Sequence, residues 1–302
     1  MKTIVGITGT TSVGKSAVAV NLAKLLNTEI LSADSMQIYK GMDIGTAKVR
    51  PEQMQGIRHH MIDIIEPNCN YSSYLYQQDA SRIIDEMNGL PIVVGGTGFY
   101  FDSLLYPPEF GNATPERRAE LQRILDSEGI DVLCEMLKNL DEQTYNEIDL
   151  HNAKRVIRAI EIAECGKVKS KGVGRVAPRY NLVLFLLERD RDRLYEQIDK
   201  RVDEMVEQGL VEEVQRLVNQ YGFCTTSAFS AIGYKEIIEY LQGTISLPDA
   251  ISKIKSNTRH YAKRQITYYK KMNVSSVINV EGKSVDDIAS YIYQQLVKMR
   301  IV

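Results

Sequence analysis

The chain has 302 residues, with 37 basic and 39 acidic side chains and a formal net charge of −2. Its length allows one large domain with an insertion, or two domains. The near-neutral balance excludes a positive field over the whole molecule, so any surface for nucleic acid must be local. Four cysteines stand far apart without a C-x-x-C pair, which argues against a zinc site or a disulfide framework. The longest apolar run, at 182–187, is too short to span a bilayer, and we predict a soluble, cytoplasmic protein.

Strand and helix patterns alternate along the first hundred residues. Short apolar runs bounded by turn residues predict strands at 3–8, 29–34 and 91–96. The segment 72–88 predicts a helix with a serine cap. This alternation is typical of a parallel sheet covered by helices, which is the α/β class.

A second type of pattern occupies the middle of the chain. Residues 113–170 have helical periodicity, with Thr114 as the predicted first cap, and a Gly/Lys-rich stretch follows. Strands are predicted again at 181–188 and 277–280, with helices between them and a terminal helix. We therefore predict an α/β core domain built from 1–112 and 171–302, interrupted by a helical insertion domain at 113–170.

The segment GTTSVGKS follows the first predicted strand and precedes an apolar helix. It fits the P-loop pattern G-x-x-x-x-G-K-[ST], which places successive backbone N–H groups and a lysine around phosphates. The hydroxyl at its end can bind Mg²⁺. We predict a P-loop NTPase-like sheet and phosphate contacts from Gly9, Thr10, Thr11, Ser12, Val13, Gly14, Lys15 and Ser16.

A second polar segment, DSMQIYKGMDIGTAK at 34–48, follows the second predicted strand and begins with DSMQ at 34–37. Ligands of open α/β sheets bind at the carboxyl ends of the strands, so Asp34 is expected beside the P-loop. Its carboxylate could bind Mg²⁺ through water or act as a base, and Gln37 could pair with an adenine edge. The alternative is a solvated loop in which Asp34 only caps a turn.

Two further segments carry weaker signals. GGTGFY at 95–100 permits close backbone approach and supplies Thr97 and Tyr100, although such strand ends are often only tight turns. His59 and His60 are adjacent, and neighbouring side chains of a strand point to opposite faces, so a shared metal site is disfavoured. We predict a structural role for them, such as orienting the DSMQ segment.

Basic residues are concentrated in two places. Residues 250–280 contain no Asp or Glu, while tyrosines and seven cations recur: Lys253, Lys255, Arg259, Lys263, Arg264, Lys270 and Lys271. A second cluster comprises Lys154, Arg155, Arg158, Lys167, Lys169, Lys171, Arg175 and Arg179. Either cluster alone would be typical of a solvated helix face, whereas two of them favour a nucleic-acid phosphate backbone as partner.

Seven segments in order resemble motifs of the bacterial tRNA dimethylallyltransferase (tRNA isopentenyltransferase) family: GTTSVGKS, DSMQIYKGMDIGTAK, HHMID, GGTGFY, NAKRVIRAIE, AIGYKE and AKRQITYY. The resemblance covers nearly the whole chain. It implies a prenyltransferase whose P-loop holds the diphosphate of dimethylallyl diphosphate. The implied acceptor is N6 of the adenosine at tRNA position 37, so the tRNA anticodon stem-loop is the expected partner, with no membrane partner and a monomer as the expected form.

The resemblance also implies roles for individual residues. Asp34 matches the general base, Arg201 the diphosphate clamp and Thr11 a hydroxyl near the reacting centre, with Mg²⁺ bound near Ser16. Such a base suits adenine N6, whose delocalised lone pair makes it a poor nucleophile. The implied tRNA contacts are Asp34, Ser35, Met36, Gln37, Thr97, Arg118, Lys154, Arg155, Val156, Ile157, Arg158, Ser230, Ala231, Ile232, Gly233, Tyr234 and Lys235.

The sequence departs from the family's pattern in the P-loop, and an alternative function fits part of the same evidence. The family's loop usually reads G-P-T-A-S-G-K, whereas Thr10, Ser12 and Val13 stand here, and Val13 removes a hydroxyl. The alternative function is a P-loop kinase of a nucleotide or small metabolite, for which the loop would be ATP-binding. A GTP-binding switch is disfavoured because the chain has no N-K-x-D segment.

Overall fold

In the computed structural model, residues 1–106, 114–164 and 177–302 are described. The chain divides into two compact units, Met1–Leu105 with Arg179–Val302, and Tyr106–Pro178. The predicted insertion boundaries, 113 and 170, both lie outside the described residues.

The first unit contains a six-stranded sheet. Its strands are β1 Thr3–Gly9, β2 Ile30–Ser32, β3 His59–His60, β4 Ile92–Gly95, β5 Asn181–Glu188 and β6 Ser276–Asn279. Every pairing is parallel, and the strand order is β3-β2-β4-β1-β5-β6, so the predicted parallel sheet is confirmed. Strand β3, which pairs with β2 at the edge of the sheet, has only two residues and is too short to show an apolar pattern in the sequence.

Helices cover both faces of this sheet. Their bounds are α1 Lys15–Leu26, α2 Pro51–Met54, α3 Ser73–Glu86, α4 Gly98–Leu105, α9 Arg191–Glu207, α10 Leu210–Tyr221, α11 Tyr234–Leu241, α12 Leu247–Tyr269 and α13 Val285–Lys298. Alternate residues of β1 belong to different cores: Val5 and Ile7 pack with α1 and α13, and Ile4 packs with α3 and α4. Ser72 caps α3 as predicted, since its hydroxyl accepts a hydrogen bond from Leu75 N.

The second unit is helical in its described part, with α5 Pro115–Glu128, α6 Ile130–Leu140, α7 Glu142–Glu147 and α8 Ala153–Glu164. Thr114 caps α5 as predicted, accepting a hydrogen bond from Arg117 N. Its small core includes Leu121, Leu133, Leu137 and Ile160. Across the described residues of both units, none of the helices is long and apolar enough to cross a membrane.

Candidate active site

The P-loop, residues 9–16, connects β1 to the first turn of α1. Gly9 and Gly14 have positive φ angles of 152° and 95°, and a Cβ on Gly9 would lie 2.4 Å from the carbonyl oxygen of Leu187. Val13 is buried in the core between β1 and α1. Its side chain therefore faces away from a phosphate, and only its backbone can contribute to anion binding.

Lys15 is held inside this loop. Its ammonium group donates a hydrogen bond to the carbonyl oxygen of Thr10 at 2.7 Å. Burial lowers the pKa of Lys15 to about 8, the charge of Arg201 acts in the same direction, and Asp34 opposes both. An anion bound in the loop would stabilise the charged ammonium.

Arg201 reaches the same loop from helix α9. Its Nη1 lies 3.5 Å from the Ser12 hydroxyl. Burial lowers the pKa of Arg201, while the carboxylate of Asp34 raises it. The predicted base and the predicted clamp thus lie close enough to interact electrostatically.

Asp34 follows β2 at the carboxyl edge of the sheet. Its Oδ1 accepts hydrogen bonds from Met36 N at 2.9 Å and Gln37 N at 3.3 Å, which orients the carboxylate. The next residue, Ser35, donates its N–H to the Thr97 hydroxyl at 3.2 Å. The loops after β2 and β4 are therefore connected, as the positions of their strands in a parallel sheet predict.

One cavity of about 480 Å³ is lined by many of the residues predicted for the active site. Lys15 and Ser16 line it together with Asp34 and Arg201, and apolar side chains form other parts of its wall. The remaining predicted residues in its lining are Thr11, Ser12, Gly14 and Gln37. The turn-capping and catalytic interpretations of Asp34 are compatible, since the carboxylate orients its own turn and lines this cavity.

Gln37 contacts a later part of its own segment, residues 34–48. Its side-chain nitrogen lies 3.4 Å from the carbonyl oxygen of Thr46. The preceding turn is held by Glu213 of α10, which accepts the backbone N–H groups of residues 43–45 at 2.8–3.1 Å. Pattern reasoning misses Glu213 because it is one of two adjacent glutamates at the start of an amphipathic helix, 170 residues from Asp43.

The segment 230–235, which is predicted to contact tRNA, has several of its side chains engaged within the protein. Tyr234 is buried and donates its hydroxyl proton to Glu213 at 2.6 Å. Ala231 and Ile232 pack against the same core, and Gly233 N donates to Glu236. Ser230 is exposed, and Lys235 lies 3.5 Å from Glu236. For Tyr234, any contact with tRNA would have to involve its backbone.

The acid-free stretch, residues 250–280, carries less unpaired positive charge than its sequence indicates. Acidic side chains of α9 and α11 pair with three of its cations: Lys255 with Asp203 at 2.6 Å, Arg259 with Asp199 at 2.6 Å and Lys253 with Glu239 at 2.9 Å. Lys263 and Arg264 are exposed, and no ion pair involves them within the described residues. Lys270 and Lys271 are also exposed and without an ion pair in the described chain, so these four cations are the ones best placed for a polyanion.

The second unit orients two of the predicted arginines. Glu161 is buried and pairs with both guanidinium groups, at 2.7 Å for Arg118 and 3.0 Å for Arg158. Burial raises the pKa of Glu161, but these two bonds outweigh it, so the pKa is lowered overall. Lys154 and Arg155 are exposed, whereas Val156 and Ile157 are buried in the core. Lys167, Lys169, Lys171 and Arg175 lie outside the described residues.

The paired histidines have separate partners. His60 Nε2 lies 2.5 Å from a carboxylate oxygen of Glu29, and His59 Nδ1 lies 2.9 Å from the carbonyl oxygen of Ile57. Within the described residues, no cluster of three or more His, Cys, Asp or Glu could hold a metal ion. The DSMQ segment is instead contacted by Asp63, whose N–H donates to the carbonyl oxygen of Gln37 at 3.1 Å.

A parallel α/β sheet with a P-loop sequence between β1 and α1, beside a carboxylate, is the architecture of a P-loop enzyme. Family comparison narrows this class: a family model described as IPP transferase matches residues 37–272, and one described as isopentenyl transferase matches residues 2–67. Proteins named tRNA dimethylallyltransferase from Carboxydothermus hydrogenoformans and Caldanaerobacter subterraneus are 45% and 43% identical, covering 88% and 97% of each chain. The chain belongs to the tRNA dimethylallyltransferase (IPP transferase) family of prenyltransferases.

Solved structures agree with this assignment. A tRNA delta(2)-isopentenylpyrophosphate transferase from Staphylococcus epidermidis is 39% identical, with a TM-score of 0.74, covering 99% of this chain and 100% of that one. A eukaryotic dimethylallyltransferase acting on tRNA is 26% identical, with a TM-score of 0.84 over 98% and 78% of the two chains. The predicted family, enzyme class and P-loop NTPase-like fold are confirmed, and the kinase alternative is set aside.

Proposed function

We propose that this protein transfers the dimethylallyl group of dimethylallyl diphosphate to N6 of the adenosine at tRNA position 37, releasing diphosphate. The observation that carries the proposal is one cavity lined by two cations, Lys15 and Arg201, together with the carboxylate of Asp34. A diphosphate leaving group needs cationic donors, and an adenine amine needs a proton acceptor. Both kinds of group meet here.

The reaction exchanges one bond for another. The N6 lone pair forms a bond to C1 of the dimethylallyl group, the bond from C1 to the diphosphate oxygen breaks, and the N6 proton passes to Asp34. Negative charge grows on the diphosphate, where Lys15, the loop amides and Arg201 stabilise it. Two backbone N–H groups hold the Asp34 carboxylate in a fixed orientation, so it need not reorganise during proton transfer.

Magnesium is proposed as the cofactor bound with the diphosphate. Ser16 supplies a hydroxyl at the start of α1 and lines the same cavity as Asp34. This sparse oxygen set fits Mg²⁺, which takes few protein ligands and completes its shell with phosphate oxygens and water. When bound, Mg²⁺ supplies neutralisation of the diphosphate charge.

The proposed partner is the anticodon stem-loop of tRNA, with the protein acting as a monomer in the cytoplasm. Exposed cations support a phosphate-rich partner: Lys263 and Arg264 in the first unit, and Lys154 and Arg155 in the second. The adenine must leave its stack to reach a cavity of this kind, because a base held between its neighbours in the RNA cannot enter a pocket of the protein.

A transfer assay tests the proposal. The protein is incubated with unmodified tRNA, Mg²⁺ and dimethylallyl diphosphate labelled in its prenyl group, without ATP. We expect label in the tRNA and one diphosphate released for each group transferred. Lys15→Ala should weaken the binding of dimethylallyl diphosphate and inorganic diphosphate together, because both present the same anion to the P-loop. An absolute requirement for ATP hydrolysis would contradict the proposal.

A further inference from the structure

Helix α12 presents two buried polar side chains, Gln265 and Tyr269, one turn apart on the same face. Gln265 Oε1 accepts a hydrogen bond from Thr11 N at 3.0 Å, and its Nε2 donates to the carbonyl oxygen of Gly96 at 2.9 Å. The Tyr269 hydroxyl lies 2.8 Å from the same Gly96 oxygen and 3.0 Å from that of Gly9. Both side chains therefore contact the same two loops.

These two loops carry different halves of the proposed reaction. Gly9 and Thr11 belong to the P-loop, which holds the leaving group. Gly96 precedes Thr97, whose hydroxyl accepts the N–H of Ser35, the residue next to the base Asp34. A short chain of hydrogen bonds thus runs from the P-loop through α12 to the loop that carries the base.

Gln265 also accepts the hydrogen bond of a backbone N–H, that of Thr11, which could otherwise donate to a phosphate. Because the Thr11 N–H is bonded to a buried amide, it is directed at α12, and the loop is fixed in shape at that point. The fit is close from the other side as well, since a Cβ on Gly96 would lie 2.5 Å from Gln265 Nε2. Small changes here would alter the spacing of the two loops.

We propose that Gln265 and Tyr269 are positioning residues that set the spacing between the diphosphate site and the proton acceptor. The inference rests on the proposed function. Group transfer needs the reacting atoms in near-contact geometry, and a misplacement of about 1 Å can cost on the order of a hundredfold in rate. Tight binding of either substrate alone does not need that spacing.

The first test separates turnover from binding. Gln265→Leu keeps the volume and removes both hydrogen bonds, so kcat should fall roughly ten- to a hundredfold. The Kd values for inorganic diphosphate and tRNA should stay within about threefold of the parent, and the binding stoichiometry should match that of the parent, whereas a general loss of folded protein would lower the stoichiometry. Thr267→Val, at an exposed position of the same helix, is the matched control and should behave as the parent. An unchanged kcat in folded Gln265→Leu would overturn the inference.

A pH profile gives a second, independent readout. In Gln265→Glu, a neutral carboxylic acid can accept from Thr11 N and donate to the Gly96 oxygen, as the amide does. Once ionised it has no proton to donate, and it faces the carbonyl with a negative charge. The ratio of variant to parent kcat should therefore fall as pH rises. A flat ratio would contradict the proposed bond to Gly96.

Hydrogen exchange distinguishes failure of this inference from failure of the proposed function. Exchange at Thr11 should be faster in Gln265→Leu than in the parent and in Thr267→Val, whatever reaction the protein catalyses. Should Gln265→Leu fail to fold, Gly96→Ala displaces the amide without altering α12, and the same gain in exchange is expected. Unchanged protection of Thr11 would overturn the inference, whereas absence of prenyl transfer by the parent would overturn only the function.

Discussion

The hydroxyl of Tyr234 lies 2.6 Å from Oε1 of Glu213, and both side chains are buried. The same carboxylate accepts the backbone N–H groups of residues 43–45. This turn leads into Thr46 and Ala47, whose carbonyl oxygens lie 3.4 and 3.5 Å from the side-chain nitrogen of Gln37. The shape of the segment that contacts Gln37 is therefore set by a carboxylate on helix α10.

We expect Glu213→Gln to lower stability and impair use of tRNA. One amide nitrogen would face backbone N–H donors, and a buried unsatisfied group costs about 1–3 kcal/mol. The rate at low tRNA concentration should fall, while diphosphate affinity stays within about twofold. Tyr234→Phe is the matched control: it removes one hydrogen bond, of about 0.5–1.5 kcal/mol, and leaves the carboxylate in place. Denaturant unfolding and tRNA-dependent kinetics measure both effects, and equal effects of the two variants would contradict the role of Glu213.

Asp34→Asn should reduce turnover by roughly two to four orders of magnitude, the scale of general-base loss. The amide can still accept the N–H of Met36, so the turn should persist. Affinities for tRNA and diphosphate should change much less than kcat, and single-turnover rates with equilibrium binding would show this. Asp192→Asn, the same chemical change at an exposed position of α9, is the control. Near-normal turnover of the folded Asn variant would remove Asp34 from the proposed role.

Diphosphate affinity should depend on pH through Lys15. Burial lowers the pKa of this lysine to about 8, below its ordinary 10.5, and a bound anion raises it again. Affinity should therefore be retained below pH 8, where the ammonium is already charged, and decline above it, where binding must also take up a proton. Lys15→Arg keeps the charge without titrating in this range.

Because diphosphate itself titrates near this pH, the informative quantity is the ratio of parent to Lys15→Arg affinity at each pH. Calorimetry between pH 6.5 and 9.5 should show this ratio falling above about pH 8. A constant ratio would mean that Lys15 does not titrate in the free protein.

Salt dependence should identify which cations of α12 contact tRNA phosphates. Lys263 and Arg264 are exposed, whereas Lys253 is paired with Glu239 at 2.9 Å. Each lost phosphate contact should reduce the slope of log affinity against log salt by somewhat under one unit, about 0.7–0.9. Lys263→Ala with Arg264→Ala should therefore flatten the slope more than Lys253→Ala, with diphosphate affinity unchanged. The same slope in all three proteins would remove this helix from the interface.

Local features of the fold are predictable from the sequence because their causes lie within a few residues. Apolar runs locate five of the six strands in the described chain, and Ser72 and Thr114 cap the helices that follow them. The P-loop is recognisable for the same reason: its glycines, lysine and hydroxyl are consecutive, and the flanking strand and helix are predicted independently.

Contacts between distant segments are what the sequence does not reveal. Gln265 meets Thr11 across 254 positions, and it is one more polar residue in a helix of mixed pattern. A count of charges also fails to show that Asp199 and Asp203 on α9 neutralise Arg259 and Lys255. Such pairings depend on how α9 packs against α12, which no local pattern encodes.

The central claim is that the protein joins a dimethylallyl group to one adenosine of tRNA, and nucleoside analysis tests it most directly. A tRNA with adenosine at position 37 and the same tRNA with guanosine there are treated with the protein, Mg²⁺ and labelled dimethylallyl diphosphate. Both are then digested to nucleosides and separated. We predict a single labelled product, an N6-prenylated adenosine, from the first tRNA and no labelled nucleoside from the second. Equal label in both, or label on another nucleoside, would contradict the claim.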